Sequence, residues 1–405
     1  MPTPTVTDTA TTSQRPRLWT RLFTSLTIAN FCVAVIFYIL TSTLSGWALQ
    51  ELDASQAQAG LVGTAWFVGA MMARLVSGRI LTVLGERATV VASLVLMLVG
   101  GLAYFACHTV VALLALRFLH GMGFGLSATA VGAATLARVP ITRRGEGSGW
   151  FTFGMAIASG LGPMFGSVLQ RGPAGQHGVF VAAVVCAVVA LALSLLVAGQ
   201  LHPRQPREHG AGFRVSDYID VRVLPVAVVV GLCAMPFGTI LTLLAPYADA
   251  MGLAGAVGPF FLAFAVVVAV SRPVAGVLQD RHGDLSVMLP IICLAVLGFA
   301  ATALADNQWK LVGAGALLGL GYGTLVPAGQ TVALNLVGSA RAGIGVGSYF
   351  LVVDAGTGLG PFVLGSLVDP LGYRGAFLTG LGCSVAGLLA MILLRRRLRR
   401  PSQKS

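Results

Sequence analysis

Residues 117–125 read RFLHGMGFG, and residues 315–323 read GALLGLGYG. Aligned without a gap, they place Gly121, Gly123 and Gly125 on Gly319, Gly321 and Gly323, each pair 198 residues apart. The same offset recurs elsewhere. RLVSGRILTVLGER from Arg74 against RPVAGVLQDRHGD from Arg272 pairs Arg74 with Arg272, Gly78 with Gly276 and Gly85 with Gly283. RRGEGSGWF from Arg143 meets RAGIGVGSY from Arg341, and the GLGP of 160–163 meets the GLGP of 358–361, again in that register. One offset shared by four separated segments predicts a chain built from two copies of one structural unit.

The composition says what the unit is made of. Of 405 residues 56% are hydrophobic and only 10% are charged, against about 25% charged in soluble domains. The mean hydropathy is +0.86. Apolar runs lie at about 22–48, 57–81, 88–107, 110–138, 147–170 and 178–200. A polar stretch follows, then runs at about 223–248, 255–279, 285–305, 309–337, 343–368 and 374–394. Each is about twenty residues or longer, enough for a helix to cross a hydrocarbon core of about 30 Å. Helices are required because lipid offers no partner to an unpaired backbone group. The narrowest cut is Cys107-His108-Thr109, between the third and fourth runs. The expected fold is an all-α membrane protein of twelve transmembrane helices in two six-helix pseudo-symmetric halves, 22–200 and 223–394. A cytoplasmic tail (1–21) precedes them, its threonine-rich, nearly uncharged residues 1–14 expected to be disordered; a polar linker (201–222) joins them, and a basic tail (395–405) follows. The first run is too long for a signal-peptide core and is expected to be retained.

The net charge of +12 has a location. Of the 26 lysines and arginines, 22 fall on the side of the termini, among them Arg74, Arg272 and Arg281. Three (Arg171, Lys310, Arg374) fall on the other, and Arg117 lies inside a run. The positive-inside rule then puts both termini in the cytoplasm of a multi-pass membrane protein. The basic excess is topology rather than a nucleic-acid site. The six cysteines show no paired spacing, and neither a metal site nor a disulfide framework is expected. There is no phosphate-binding lysine loop and no nucleophile constellation, so an enzyme is not expected. The arginine bias, with only two lysines, points to a high-GC bacterium and its inner membrane.

Several motifs resemble those of the major facilitator superfamily, over about residues 20 to 395. Arg74, Gly78 and Gly85, with Arg272-Pro273, Gly276, Leu278, Asp280-Arg281 and Gly283, resemble its signature loop after the second helix and the counterpart in the second half. The first copy departs from the pattern, with Leu75 for proline, Thr82 for aspartate and Glu86 for a basic residue. LRFLHGMGFG (116–125) resembles the fourth-helix motif, with His120 where glutamine is usual. Gly149, Ala158, Gly162-Pro163, Gly166 and Ser167 resemble the fifth-helix antiporter motif, repeated in part at Gly360-Pro361. The resemblance implies the twelve-helix drug:proton antiporter branch, although Ser42 and Ser45 replace that branch's first-helix prolines. It further implies that Arg74, Gly78, Gly85, Arg272, Gly276, Asp280, Arg281 and Gly283 form a conformational latch, with Asp280 near Arg143 or Arg144 of the other half. It also implies a cavity lined from the first, second, fourth, fifth, seventh, eighth, tenth and eleventh helices. On those helices the polar and aromatic candidates are Asn30, Tyr38, Trp66, His120, Phe153, Phe237, Phe264, Tyr322, Gln330 and Tyr349.

Two side chains carry the expected chemistry. A cation at membrane depth costs roughly 2.5–3.5 kcal/mol on insertion scales, and the resemblance implies proton coupling for Arg117. Asp354, in YFLVVDAGTGLGP, is the acid placed well inside a run; burial favours its neutral form and a nearby arginine its charged form. A carrier that exchanges protons needs such a group. Whether Asp354 meets Arg117 is left open. The expected function is proton-coupled efflux of small amphipathic or drug-like organic compounds by a monomer, driven by the proton gradient without a cofactor. The alternatives are a narrow-specificity exporter or symporter of a metabolite such as a sugar or metallophore, and a non-transporting sensor of the same fold. One intramembrane charge of each sign argues against a strongly charged substrate.

Overall fold

The computed structural model describes residues 17–140, 143–201, 219–337 and 342–398. Residues 1–16, which include the 1–14 segment expected to be disordered, the linker from 202 to 218 and the end of the basic tail lie outside the described residues. Twelve helices are long and apolar enough to cross a membrane, and no strand occurs among the described residues. They are α1 (Arg21–Glu51), α2 (Gln56–Ser77), α3 (Val83–Ala106), α4 (Val110–Leu136), α5 (Arg144–Arg171), α6 (Gly175–Leu196), α7 (Leu224–Ala250), α8 (Val257–His282), α9 (Asp284–Ala303), α10 (Gln308–Val337), α11 (Ala342–Gly365) and α12 (Val368–Leu398).

Local chemistry sets the ends. Thr20, Ser55, Thr109 and Asn307 each accept a hydrogen bond from a first-turn backbone N–H, satisfying donors that a helix start leaves unpaired. Ser55 and Gln58 do so reciprocally, the capping-box arrangement. The Cys107-His108-Thr109 cut is a real break: a short turn over Tyr104–Ala106 ends α3, and Thr109 caps α4. The repeat is visible in the backbone itself. The helical path turns at Gly85 (φ 82°, ψ 166°), near the start of α3, and at Gly283 (φ 81°, ψ 161°), between α8 and α9. Glycine reaches that conformation without the Cβ clash other residues meet.

Each half has its own apolar core. The glycine ladder lets backbones touch within it: a Cβ on Gly121 or Gly125 would overlap the carbonyls of Trp66 and Ala70 on α2. One on Gly315 or Gly319 would meet those of Phe260 and Phe264 on α8. Most of the contact between the halves runs through α1 with α7, α2 with α11, and α5 with α8. Under the 198-residue offset the last two pairs are equivalents. The far side, opposite the termini, is closely joined. Gly60 of α2 abuts Pro361 of α11, the Tyr373 hydroxyl lies 3.0 Å from Oε1 of Gln56, and Arg171 donates to the Ala254 carbonyl.

Candidate functional site

The α2–α11 seam carries an ion pair across the two halves. Nη1 of Arg74 donates to Oδ2 of Asp354, with side chains 26% and 15% exposed. Farther along the same seam toward the far side, Thr64 donates to the Gly358 carbonyl, and Gly358 itself packs on Phe67. Arg74 lies inside α2 and reaches across the interface, so the terminus-side charges counted from sequence include one at membrane depth. Asp354 therefore meets Arg74, not Arg117.

Arg117 forms a second, separate centre inside the first half, and it is fully buried. It does not snorkel. Its Nε donates to the Val62 carbonyl at 3.0 Å and its Nη2 to Thr41 Oγ1 at 3.1 Å. Its Cζ stands 4.5 Å from the Trp66 ring centroid, a cation–π geometry. The His120 ring is 4.8 Å from Trp66, and its Nδ1 is 3.2 Å from the Tyr104 hydroxyl. Arg117 Nη1, Trp66 Nε1 and His120 Nε2 have no partner among the described residues. Trp66 and His120, expected in the cavity, are both wholly buried and belong to this centre instead.

A third group lies in the core of the second half, with Tyr38 of the first half packed against it. Phe237 of α7 stacks on Tyr322 of α10 at 4.1 Å and on Phe264 of α8 at 5.4 Å. Tyr349 of α11 donates to the Val326 carbonyl at 2.7 Å. Tyr38 of α1 packs against the apolar cores of both halves, close enough to Arg272 and Tyr322 to interact with them electrostatically. Five of the ten expected cavity residues (Tyr38, Phe237, Phe264, Tyr322, Tyr349) are thus brought together. Asn30 is buried with Nδ2 unpartnered, Gln330 is half-buried, and Phe153 is exposed beside Trp150.

Of the latch residues, Gly85 and Gly283 form the paired turns and Arg281 is exposed. Arg272 donates from Nε to the Gly323 carbonyl at 3.3 Å. Gly78, Gly149, Gly276 and Asp280, with Arg144, lie outside the residues described beyond the backbone. Two carboxylates follow the turns, neither of them given a role by the sequence and Glu86 noted there only as a departure from the motif. Glu86 pairs with Arg138, just past the end of α4, at 2.8 Å; Asp284 accepts from Gln279 at 2.8 Å and from Asn335 of α10 at 3.3 Å. Their signal is positional: each acid directly follows its left-handed glycine. In the antiporter-like segment, Gly162 and Gly166 lie against Tyr38 and Thr43 of α1. Gly360 lies against Met235 of α7, and Pro361 against Gly60 and Gly63. No cluster of metal-ligating side chains occurs among the described residues.

A profile of the Major Facilitator Superfamily matches residues 26–353 and 255–405. The chain belongs to that superfamily. Similar superfamily members include an uncharacterized MFS-type transporter of Pseudomonas aeruginosa, 28% identical over 398 residues that cover 93% of this chain and 94% of that protein. Another is the uncharacterized MFS-type transporter YhhS of Escherichia coli (strain K12), 25% identical over 385 residues covering 92% of each. Among solved structures, the nucleoside transporter NupG matches with a TM-score of 0.72 at 15% identity, over 92% of this chain and 99% of that one. The human organic anion transporter MFSD10 matches with a TM-score of 0.68 at 15% identity, over 93% and 100%. These two show the superfamily fold alone. The chain is a multi-pass membrane transporter of that fold.

Proposed function

We propose that this transporter is a proton-coupled exporter of small amphipathic organic compounds. It sits in the inner membrane with both termini in the cytoplasm, and works as a monomer on the proton gradient without a cofactor. The observation that carries the reading is the Arg74–Asp354 ion pair joining α2 to α11 across the halves. In a duplicated carrier the substrate site lies between the halves, and rocking exposes it to each side in turn. Such rocking changes the α2–α11 distance at this level. A carboxylate facing a guanidinium stays ionised, and one left in apolar surroundings takes up a proton. Arg74 and a proton are then alternative partners for one carboxylate. A proton that enters from the acidic side holds Asp354 neutral while the halves part, and is discharged to the cytoplasm when Arg74 returns. The half-buried Tyr38 and the aromatic group of Phe237, Phe264 and Tyr322 behind it make an apolar, aromatic neighbourhood suited to amphipathic molecules. The charge asymmetry of the loops supports the orientation.

The test is internal pH in everted vesicles energised to acid-inside, with a panel of lipophilic organic compounds added. Substrate-triggered proton release that disappears in Asp354→Asn at normal membrane levels supports antiport through Asp354. Release that survives in the variant removes Asp354 from the coupling role.

A further inference from the structure

The two halves treat equivalent arginines differently. Arg74 and Arg272 are 198 residues apart and occupy equivalent places on α2 and α8. Across the seam Arg74 meets Asp354. The position equivalent to Asp354 on α5 is residue 156, also 198 away, and it is Ala156. Ala156 faces the right way: it is buried in the apolar core of the second half, and on the same helix Gly160 packs on Ala265 of α8. Arg272 thus stands at a seam of the same construction without the carboxylate that neutralises its counterpart.

Its direction is set by the helix. Leu262, Val266, Val270, Val274 and Leu278 form the exposed apolar stripe of α8, which faces lipid. At about 100° per residue, Arg272 lies some 160° from Val270 and equally far from Val274. It points into the protein. There its Nε is held by the Gly323 carbonyl, and the Tyr38 phenol of the opposite half lies within electrostatic reach. Arg272 is half-buried, and its Nε bond is its one hydrogen bond among the described residues. The other intramembrane arginines are already occupied, Arg74 by Asp354 and Arg117 within the first half's core. Arg74, Arg117 and Arg272 all lie within candidate membrane spans, and of these three only Arg74 faces a carboxylate among the described residues, so the expected pairing of one arginine with one aspartate is incomplete.

We infer that Arg272, with Tyr38 opposite, is an anion-binding subsite between the halves, and that the substrates are aromatic or amphipathic monoanions whose carboxylate or like group fills the place that Asp354 fills at the equivalent seam. The aromatic group of Phe237, Phe264 and Tyr322 adjoins it and takes the apolar body. A guanidinium with two terminal N–H groups directed at one oxyanion is the recognition arginine performs best. The direction of transport rests on the exporter reading; binding does not.

The probes are salicylate and indole-3-acetate, each paired with its neutral amide, added to the purified full-length protein in detergent. The apparent melting temperature is followed against concentration. Both acids raise it and the amides do not. Arg272→Gln loses the shift, and Arg272→Lys keeps part of it. Ala156→Asp, which supplies the missing carboxylate, also loses it while leaving Arg272 in place. An equal shift by acids and amides, no shift by either, or an unaltered acid shift in Arg272→Gln or Ala156→Asp overturns the subsite. Vesicle proton release is read separately. Acid binding without substrate-triggered release would sink the exporter and leave the subsite standing, and release without acid preference would do the reverse.

Discussion

At Arg117 the guanidinium donates to the Val62 carbonyl and to Thr41 while lying over Trp66. A lysine has a compact charge and cannot hold these directions together. Arg117→Lys is expected to lose a charge-assisted hydrogen bond, about 1.5–3 kcal/mol, seen as a lower apparent melting temperature in detergent. Trp66→Phe keeps the ring contact with a weaker cation–π partner and should cost less. At Arg74 the cost has a different signature. Arg74→Ala leaves Asp354 without its partner, and the double variant with Asp354→Asn should melt higher than Arg74→Ala alone. A double variant that melts lower would show that the pair is not the relevant interaction. Arg117 and Asp354 were both recognisable in the sequence, because a charge in a twenty-residue apolar run is conspicuous. Their partners were not. Arg74 and Asp354 are 280 residues apart, and which helix α11 packs against is decided by tertiary contacts. Trp66 and His120 were assigned to the cavity because the rotation of a helix about its axis is weakly written when nearly every position is apolar.

The elements were far more legible. Lipid forces helices, length separates the spans, and the fixed offset exposes the duplication. The matched turns at Gly85 and Gly283 follow from that duplication, and φ near +80° restricts both positions to glycine. Gly85→Ala and Gly283→Ala are each expected to cost about 1–3 kcal/mol, with additive effects because the sites lie in different halves. Melting of the purified single and double variants measures this. The symmetry is not perfect. The tenth span, read as one run, is interrupted: helix runs over Gln308–Leu320 and again over Tyr322–Val337. Gly321 lies at the break, where its backbone presses on Ala295 of α9. Its counterpart Gly123 sits within an unbroken α4. A glycine in an apolar run reads the same whether it packs a straight helix or interrupts one.

At the scale of the whole molecule, the far-side seams α2–α11 and α5–α8 must open for a rocking carrier to release its cargo there. A Cβ at Gly258 of α8 would lie 3.3 Å from the Ser167 hydroxyl of α5, a separation a disulfide can span. In a background without the six native cysteines, Ser167→Cys with Gly258→Cys should cross-link under mild oxidation. Transport should stop and then return with reductant. Transport unchanged by a complete cross-link would rule out opening at this seam. Two halves and a site between them were evident from the repeat, but the inequality of the two seams was not. It depends on Asp354 facing Arg74 while the equivalent position opposite the helix of Arg272 is Ala156, buried against the second half, a comparison that needs the helices docked. The claim that joins these scales is that Arg74 and a proton alternate on Asp354. Its most direct test uses proteoliposomes and a substrate found in the vesicle assay, comparing pH-gradient-driven uphill transport with substrate–substrate exchange. The expected result is that Asp354→Asn keeps exchange and loses uphill transport. Uphill transport by Asp354→Asn at the wild-type level would contradict the account.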